Sequence, residues 1–320
     1  MKILLMLRDA FYEANPKLIE DLKKIGDVRI LYTDNGIDKK ELKDEVKDVD
    51  IIIVTVVKID KEVIDAAPNL KYIIKHGAGY DNIDVDYAFE KGIPVTNAPG
   101  MNAQSAADHA FGLMLSAARN IPQKDKELKS RYWELSMGYE IYKKKLGIIG
   151  FGSIAKAVAK RAIGFDMETI VYTNHKDYEE AEKYKAVFVE KEELFKESDF
   201  IIIATSLNEK NKHLINKDAL SRMKPTAFII NVSRGPLIKE EDLIDALKTN
   251  QIKGAALDVF EMEPPTNELP IMENVVSTPH IGGATYESIY RVGDLSVSNI
   301  KKLLMGEELD YVVLPKEMAN

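Results

Sequence analysis

An α/β architecture with buried parallel sheets is what this sequence predicts, and three features predict it. Continuous, β-branched apolar runs recur along the chain, a charged stretch with helical spacing follows each, and Gly, Asp or Asn bounds most of them. Runs buried on both faces and separated by amphipathic helices are the signature of βαβ units, and these runs are too short for buried helices. One set occupies residues 3–7, 28–32, 51–57, 70–75 and 94–96. A second occupies 146–149, 169–172, 200–204, 227–231, 253–257 and 275–277.

The first run breaks at Arg8-Asp9, too soon for the apolar core of a secretory leader. The longest, 51–57, falls far short of the ~20 residues that cross a bilayer. Between the two sets, Asn97-Ala98-Pro99-Gly100 is a turn cluster, followed by a helical pattern over 102–119. Its small apolar face (Ala106, Ala110, Leu113, Met114, Ala117) suits close packing between domains or subunits. A second long helical pattern covers 285–305, after Gly282-Gly283. Boundaries near 97–101 and 283–290 make residues 100–287 an inserted domain, with residues 1–99 and 288–320 forming the other.

A chain of 320 residues suits two domains with a core each. Its 44 basic and 52 acidic side chains leave a net charge of −8, which argues against a nucleic-acid track. The absence of cysteine excludes disulfides, thiolate metal sites and a cysteine nucleophile, and fits a reducing, cytoplasmic setting.

Gly150-Phe151-Gly152-Ser153-Ile154-Ala155 stands between the run at 146–149 and a helical stretch at 156–163. This G-x-G-x-x-A pattern between strand and helix is a dinucleotide-binding, Rossmann-type fingerprint. Gly150 permits the tight turn, Gly152 admits a pyrophosphate to the backbone, and the helix start at Ser153 and Ile154 offers N–H groups to the anion. The next run ends in Thr173-Asn174-His175-Lys176, where an NAD site usually places an acid. Without a carboxylate there, Thr173, Asn174 and His175 can serve an NAD ribose or accept the 2′-phosphate of NADP, and the reading leans toward NADP tolerance.

Three later strand ends carry charge: Asn231-Val232-Ser233-Arg234-Gly235, Leu257-Asp258-Val259-Phe260-Glu261-Met262-Glu263-Pro264, and Thr278-Pro279-His280-Ile281-Gly282. In doubly wound sheets, carboxyl ends of strands face the ligand crevice. Each residue also has a plainer use open to it: Arg234 as a surface ion pair, His280 in a turn or cap, Glu263 as a solvated loop acid. His109 reads as packing or interface and His213 as exposed, while His76 beside the Gly77 loop could line a cleft. Tyr80 and Trp133 belong either to the core or to a pocket wall. No helical His-x-x-x-His spacing occurs and no metal is implied.

Together with Gly77-Ala78-Gly79-Tyr80-Asp81-Asn82-Ile83-Asp84, these motifs make the chain resemble the D-isomer-specific 2-hydroxyacid dehydrogenases over nearly its whole length. The resemblance implies a Rossmann domain inserted into a flavodoxin-like substrate domain, a cleft between them, and usually a homodimer built around the helix after Pro99. It implies that Arg234 holds the substrate's carboxylate and keto oxygen, that His280 exchanges a proton with the C2 oxygen, and that Glu263 orients His280 and favours its charged form. Ala78 and Gly79 resemble the loop that receives the substrate carboxylate, and Asp258 the residue that binds the nicotinamide carboxamide. Further cofactor contacts fall at Thr205, Val232, Ser233, His280 and Gly282.

Three departures bear on substrate. Val54-Thr55-Val56-Val57 stands where phosphoglycerate dehydrogenases carry an arginine for phosphate, and Lys75 where many relatives have arginine. Ala204-Thr205-Ser206-Leu207 replaces His-x-Pro-Leu in the wall of the cofactor pocket. The resemblance thus implies an NAD(P)-dependent reductase of a small unphosphorylated 2-oxo acid. The alternatives are a phosphoglycerate dehydrogenase and a non-catalytic, dinucleotide-sensing corepressor-like protein, which keeps the same triad.

Overall fold

The computed structural model describes residues 1–315 and 318. Two compact units divide the chain, Met1–Asn102 with Ala284–Asn320, and Ala103–Gly283. In the first, β1 (Lys2–Met6), β2 (Asp27–Ile30), β3 (Ile51–Val54), β4 (Tyr72–Lys75) and β5 (Val95–Thr96) form a parallel sheet of order β2-β1-β3-β4-β5, the flavodoxin-like order. Lys2 and Lys75 aside, its central strands are apolar because both faces are covered. Leu4, Ile52 and Ile73 pack with Leu42, Val63 and Ile64, while Ile3, Ile53 and Ile74 pack with Leu18, Val297 and Ile300. The last two residues come from the helix Tyr286–Met305, which Thr285 caps through its side chain and Gly306 ends in a left-handed conformation.

In the second unit, β6 (Lys145–Ile149), β7 (Glu168–Tyr172), β8 (Ala186–Phe188), β9 (Phe200–Ile203), β10 (Phe228–Asn231), β11 (Gly254–Leu257) and β12 (Val275–Ser277) form a parallel sheet. The order β12-β11-β10-β9-β6-β7-β8 is the Rossmann order with one added edge strand. The order reverses between β6 and β9, so the loops leaving these strands border the crevice where such sheets take their ligands.

Three expectations change. Strand β8 has no counterpart among the predicted runs: it is a three-residue edge strand whose Val187 points to solvent. The run at 51–57 stops as a strand at Val54, where its register with β1 ends at Met6, and Val56 is exposed. The small face of the helix Ala103–Arg119 is covered inside its own unit. Ala110, Leu113, Met114 and Ala117 join one apolar cluster with Ile148, Val158 and Phe228 in the core of that unit. Among the described residues, no helix is long and apolar enough to cross a membrane.

Candidate active site

The glycine turn leaves β6 at the reversal of strand order. Gly150 has φ +100°, and a β-carbon there would stand 2.5 Å from the Ala204 carbonyl oxygen, so both conformation and space demand glycine. At Gly152 a β-carbon would meet nothing within 4 Å, which leaves a backbone open to close approach. The helix Ser153–Ile163 starts directly after it with no side-chain cap, so its first N–H groups face that opening. An uncapped helix start behind an open glycine fits a dinucleotide's pyrophosphate.

At the tip of β7, Thr173 is half-buried, while Asn174 and His175 are exposed. The His175 N–H donates to Thr173 Oγ1 at 3.3 Å. Lys176 pairs with Glu190 at 2.8 Å, and the Asp177 carboxylate caps the helix Tyr178–Lys183, so neither acid replaces the missing one at the tip. Beyond β9, the Thr205 carbonyl accepts from Ser233 Oγ, which joins that wall to the loop after β10. Val232, between the strand and Ser233, is buried.

The fully buried Asn231 ends β10 and shapes the loop that follows. Its side chain donates to the Arg234 carbonyl at 2.9 Å and accepts from the Ser233 N–H at 3.1 Å. Arg234 Nη1 donates to the Ser233 carbonyl at 2.8 Å. Gly235 lies against backbone, since a β-carbon there would fall on the Phe260 carbonyl group. The arginine loop is therefore seated on the segment that carries Glu263.

Asp258, at the end of β11, is 1% exposed and organises the histidine loop. Its carboxylate accepts from Thr278 Oγ1 at 2.6 Å, Gly282 N–H at 2.8 Å, Ile281 N–H at 2.9 Å and His109 Nε2 at 3.2 Å. Burial pushes the Asp258 carboxyl up, and the bonds from His109, Thr278, Ile281 and Gly282 outweigh it and hold the group below the usual range. The Asp258 carbonyl also accepts the His280 N–H at 2.8 Å, and His280 sits in the left-handed region at φ +53°.

His280 Nδ1 lies 2.8 Å from Glu263 Oε2, and Glu263 Oε1 accepts the Phe260 N–H at 3.2 Å. Burial pushes Glu263 up. The His280 bond and charge, the Phe260 N–H and the Arg234 charge overcome this and hold it below the ordinary carboxylate range. An ionised carboxylate only accepts, so Nδ1 carries a proton and Nε2 is left as the ring nitrogen for proton exchange.

In the first unit, β4 runs into Gly77, Ala78 and Gly79. The Ala78 carbonyl accepts from Asn97 Nδ2 at 2.6 Å, and among the described residues the Ala78 and Gly79 N–H groups have no protein acceptor. Two N–H groups without a protein acceptor on a tied loop can receive an anion. His76 is buried with neither ring nitrogen hydrogen-bonded. Burial, then the Lys75 charge, push it down to about 3, so it is a neutral packing residue beside Phe11. Lys75 Nζ is held by the Thr55 carbonyl and by Asn82 Oδ1, the latter at 2.7 Å.

His109, read from sequence as packing or interface, instead bonds both Asp258 and Thr278 Oγ1, the latter at 3.0 Å. Its position was a signal: it falls on the stripe of Ala106, Ala110 and Leu113, where a polar side chain requires a partner. His213 is not simply exposed, for its ring meets Glu261 at 2.5 Å. Tyr80 and Trp133 are exposed rather than core. Among the described residues no group of three or more His, Asp and Glu side chains could hold a metal ion.

The family model described as D-isomer specific 2-hydroxyacid dehydrogenase, NAD binding domain, matches residues 111–282. A glyoxylate reductase of Pyrococcus furiosus is 39% identical over 300 residues, covering 90% of this chain and 89% of the relative. A D-3-phosphoglycerate dehydrogenase of Methanocaldococcus jannaschii is 41% identical over 314 residues, 97% of this chain but only 59% of that protein. Among solved structures, an acyclic imino acid reductase (Bsp5) in complex with NADPH and D-Arg superimposes with a TM-score of 0.87 at 30% identity, covering 98% of this chain and 100% of the other.

Proposed function

Because the chain belongs to the D-isomer-specific 2-hydroxyacid dehydrogenase family, a group of oxidoreductases acting on CH–OH donors, we propose that it reduces a small, unphosphorylated 2-oxo acid. The observation that carries this reading is the His280–Glu263 pair at 2.8 Å, on a segment against which the Arg234 loop is seated. A nicotinamide cofactor, when bound, supplies the hydride to C2 of the oxo acid or takes it back.

In this assignment His280 Nε2 gives its proton to the C2 oxygen as that oxygen gains charge, and recovers it in the reverse direction. Glu263 fixes the tautomer and the orientation of the ring. Arg234 presents a planar pair of donors to the carboxylate and keto oxygen. The Ala78 and Gly79 N–H groups are assigned to the carboxylate. Gly150, Gly152, Ser153 and Ile154 are assigned to the pyrophosphate. Thr173, Asn174 and His175 are assigned to the adenosine end, and Thr205, Val232, Ser233, Asp258 and Gly282 to the remaining cofactor contacts.

The preference for an unphosphorylated substrate rests on the absence of arginine in the 54–57 stretch and on Arg8, which follows β1 and pairs with Asp34 at 3.0 Å. The phosphoglycerate dehydrogenase relative keeps the phosphorylated alternative in the test. Following NADH and NADPH absorbance with glyoxylate, pyruvate, hydroxypyruvate and its 3-phosphate separates these readings; turnover of none of them leaves a dinucleotide-sensing protein instead. We also assign the exposed apolar run of Trp133, Leu135 and Met137 to contact with a second copy of the chain, as a homodimer requires.

Glu263→Gln keeps the shape of the pair and removes its charge. Its held-down carboxyl means that activity dependent on ionised Glu263 is present above the usual carboxylate range and lost only as pH falls below it. In the variant, the alkaline limb of 2-oxo acid reduction is expected to move to lower pH, because the imidazolium loses its counter-charge. An unmoved pH profile rejects the pair.

Cofactor choice is read as NAD with tolerance of NADP. Thr173→Asp is expected to lower the NADPH-to-NADH ratio of kcat/KM at least roughly tenfold, since a like charge within ~6 Å of the 2′-phosphate costs more than ~1.4 kcal/mol even at an effective dielectric near 20. Equal ratios before and after the change refute the placement of Thr173.

A further inference from the structure

We infer that Glu240, a buried acid behind the loop that carries Glu263, is a positioning residue that latches this loop so that Glu263 meets His280; the inference rests on the function proposed above. Glu240 opens the helix Glu240–Lys248 and is only 6% exposed, although it is surrounded by acids. One carboxylate oxygen accepts the Glu261 N–H at 2.6 Å, and the other accepts the Asn267 side-chain amide. The Glu240 N–H returns a bond to Glu261 Oε2 at 3.3 Å. The two carboxylate oxygens thus clamp the loop on both sides of Glu263, at positions 261 and 267.

The latch extends to the arginine loop. Glu261 Oε1 meets His213 Nε2 at 2.5 Å, and the His213 N–H donates to the Pro236 carbonyl at 2.8 Å, two residues beyond Arg234. The clamp asks for a carboxylate in particular. Both oxygens face N–H donors, so an amide would set its own NH₂ against one of them, and aspartate is one methylene shorter. Burial raises the Glu240 carboxyl, the Glu261 and Asn267 bonds oppose this, and the Glu261 and Glu263 charges add to it. An acid kept in so unfavourable a place is explained by what it holds.

The test compares Glu240→Gln, Asn267→Ala, Glu263→Gln and the double variant Glu240→Gln/Glu263→Gln with the parent protein. Asn267 is exposed, so its truncation serves where Glu240 variants fold poorly. Glu240→Gln and Asn267→Ala are expected to lower kcat roughly tenfold, as for the loss of one hydrogen bond to a charged group. They should move the alkaline limb of reduction in the same direction as Glu263→Gln and leave the Kd for NADH within about twofold. In the Glu263→Gln background, Glu240→Gln should add nothing further. Amide hydrogen exchange across residues 259–267 should rise in the Glu240 and Asn267 variants. A lowered Tm with parental kcat and pH profile overturns the inference, as does a Glu240 effect repeated in full in the Glu263→Gln background. Wild-type activity in Glu263→Gln overturns the pair itself, whereas impaired Glu263→Gln with unchanged exchange at 259–267 in Glu240→Gln overturns the latch alone.

Discussion

Replacing His280 with alanine is expected to lower kcat for 2-oxo acid reduction by roughly 10²–10⁴-fold, the range of a positioned general acid, while NADH binds with little change. The loop should survive the substitution. It is held by the Thr278 hydroxyl and the Ile281 and Gly282 N–H groups on the Asp258 carboxylate and by the bond from the residue 280 N–H to the Asp258 carbonyl, none of which uses the His280 imidazole. The left-handed backbone at this position is less comfortable for alanine than for glycine, so His280→Gly is the companion variant. Stopped-flow turnover and NADH fluorescence titration measure the two effects separately. A variant retaining most of its kcat removes His280 from the chemistry.

Arg234→Ala should strike substrate use instead. A guanidinium that makes two charge-assisted hydrogen bonds to one substrate is worth roughly 10²–10⁴-fold in kcat/KM, taking ~1.5–3 kcal/mol for each bond. Arg234→Lys should recover only part of this, because an ammonium cannot reproduce the planar fork. Asn231 and Gly235 hold the loop through backbone atoms at residues 233–235, so the loss falls on the guanidinium and not on the fold. Unchanged kcat/KM on an active 2-oxo acid contradicts the assignment. A second expected signature is loss of discrimination between 2-oxo acids and the matching aldehydes, which lack the carboxylate that the fork grips.

Much of the fold was legible because local physics dictated it. The runs that became β1, β3, β4, β9 and β10 are apolar at successive positions because sheets covered on both faces leave no polar side to alternate with. The turn at Gly150 was equally legible, since its backbone conformation and the neighbouring Ala204 carbonyl admit no side chain. Strand β8 was not: three residues at a sheet edge, one of them facing solvent, carry too little pattern. The small face of the helix Ala103–Arg119 was legible as tightly packed, but its partner was not. Small residues favour any close neighbour, and here the neighbour is the unit's own core.

The candidate site divides in the same way. Residue chemistry marked Arg234, Glu263 and His280 as charged groups at strand ends with plainer uses open to each, and only the resemblance to the family gave them a joint role. What joined His109 to Asp258 and Glu240 to the Glu263 loop was beyond reach of the sequence. These contacts depend on strand order and loop seating. His109 and Asp258 are 149 positions apart, and helix, β11 and β12 must pack before they meet. Sequence alone determined which groups are available and where backbone must turn, since these follow from side-chain chemistry and local sterics. Only tertiary structure decided which groups hold one another in place, since a hydrogen bond of 3 Å forms across such distances along the chain only after the sheet has set the geometry.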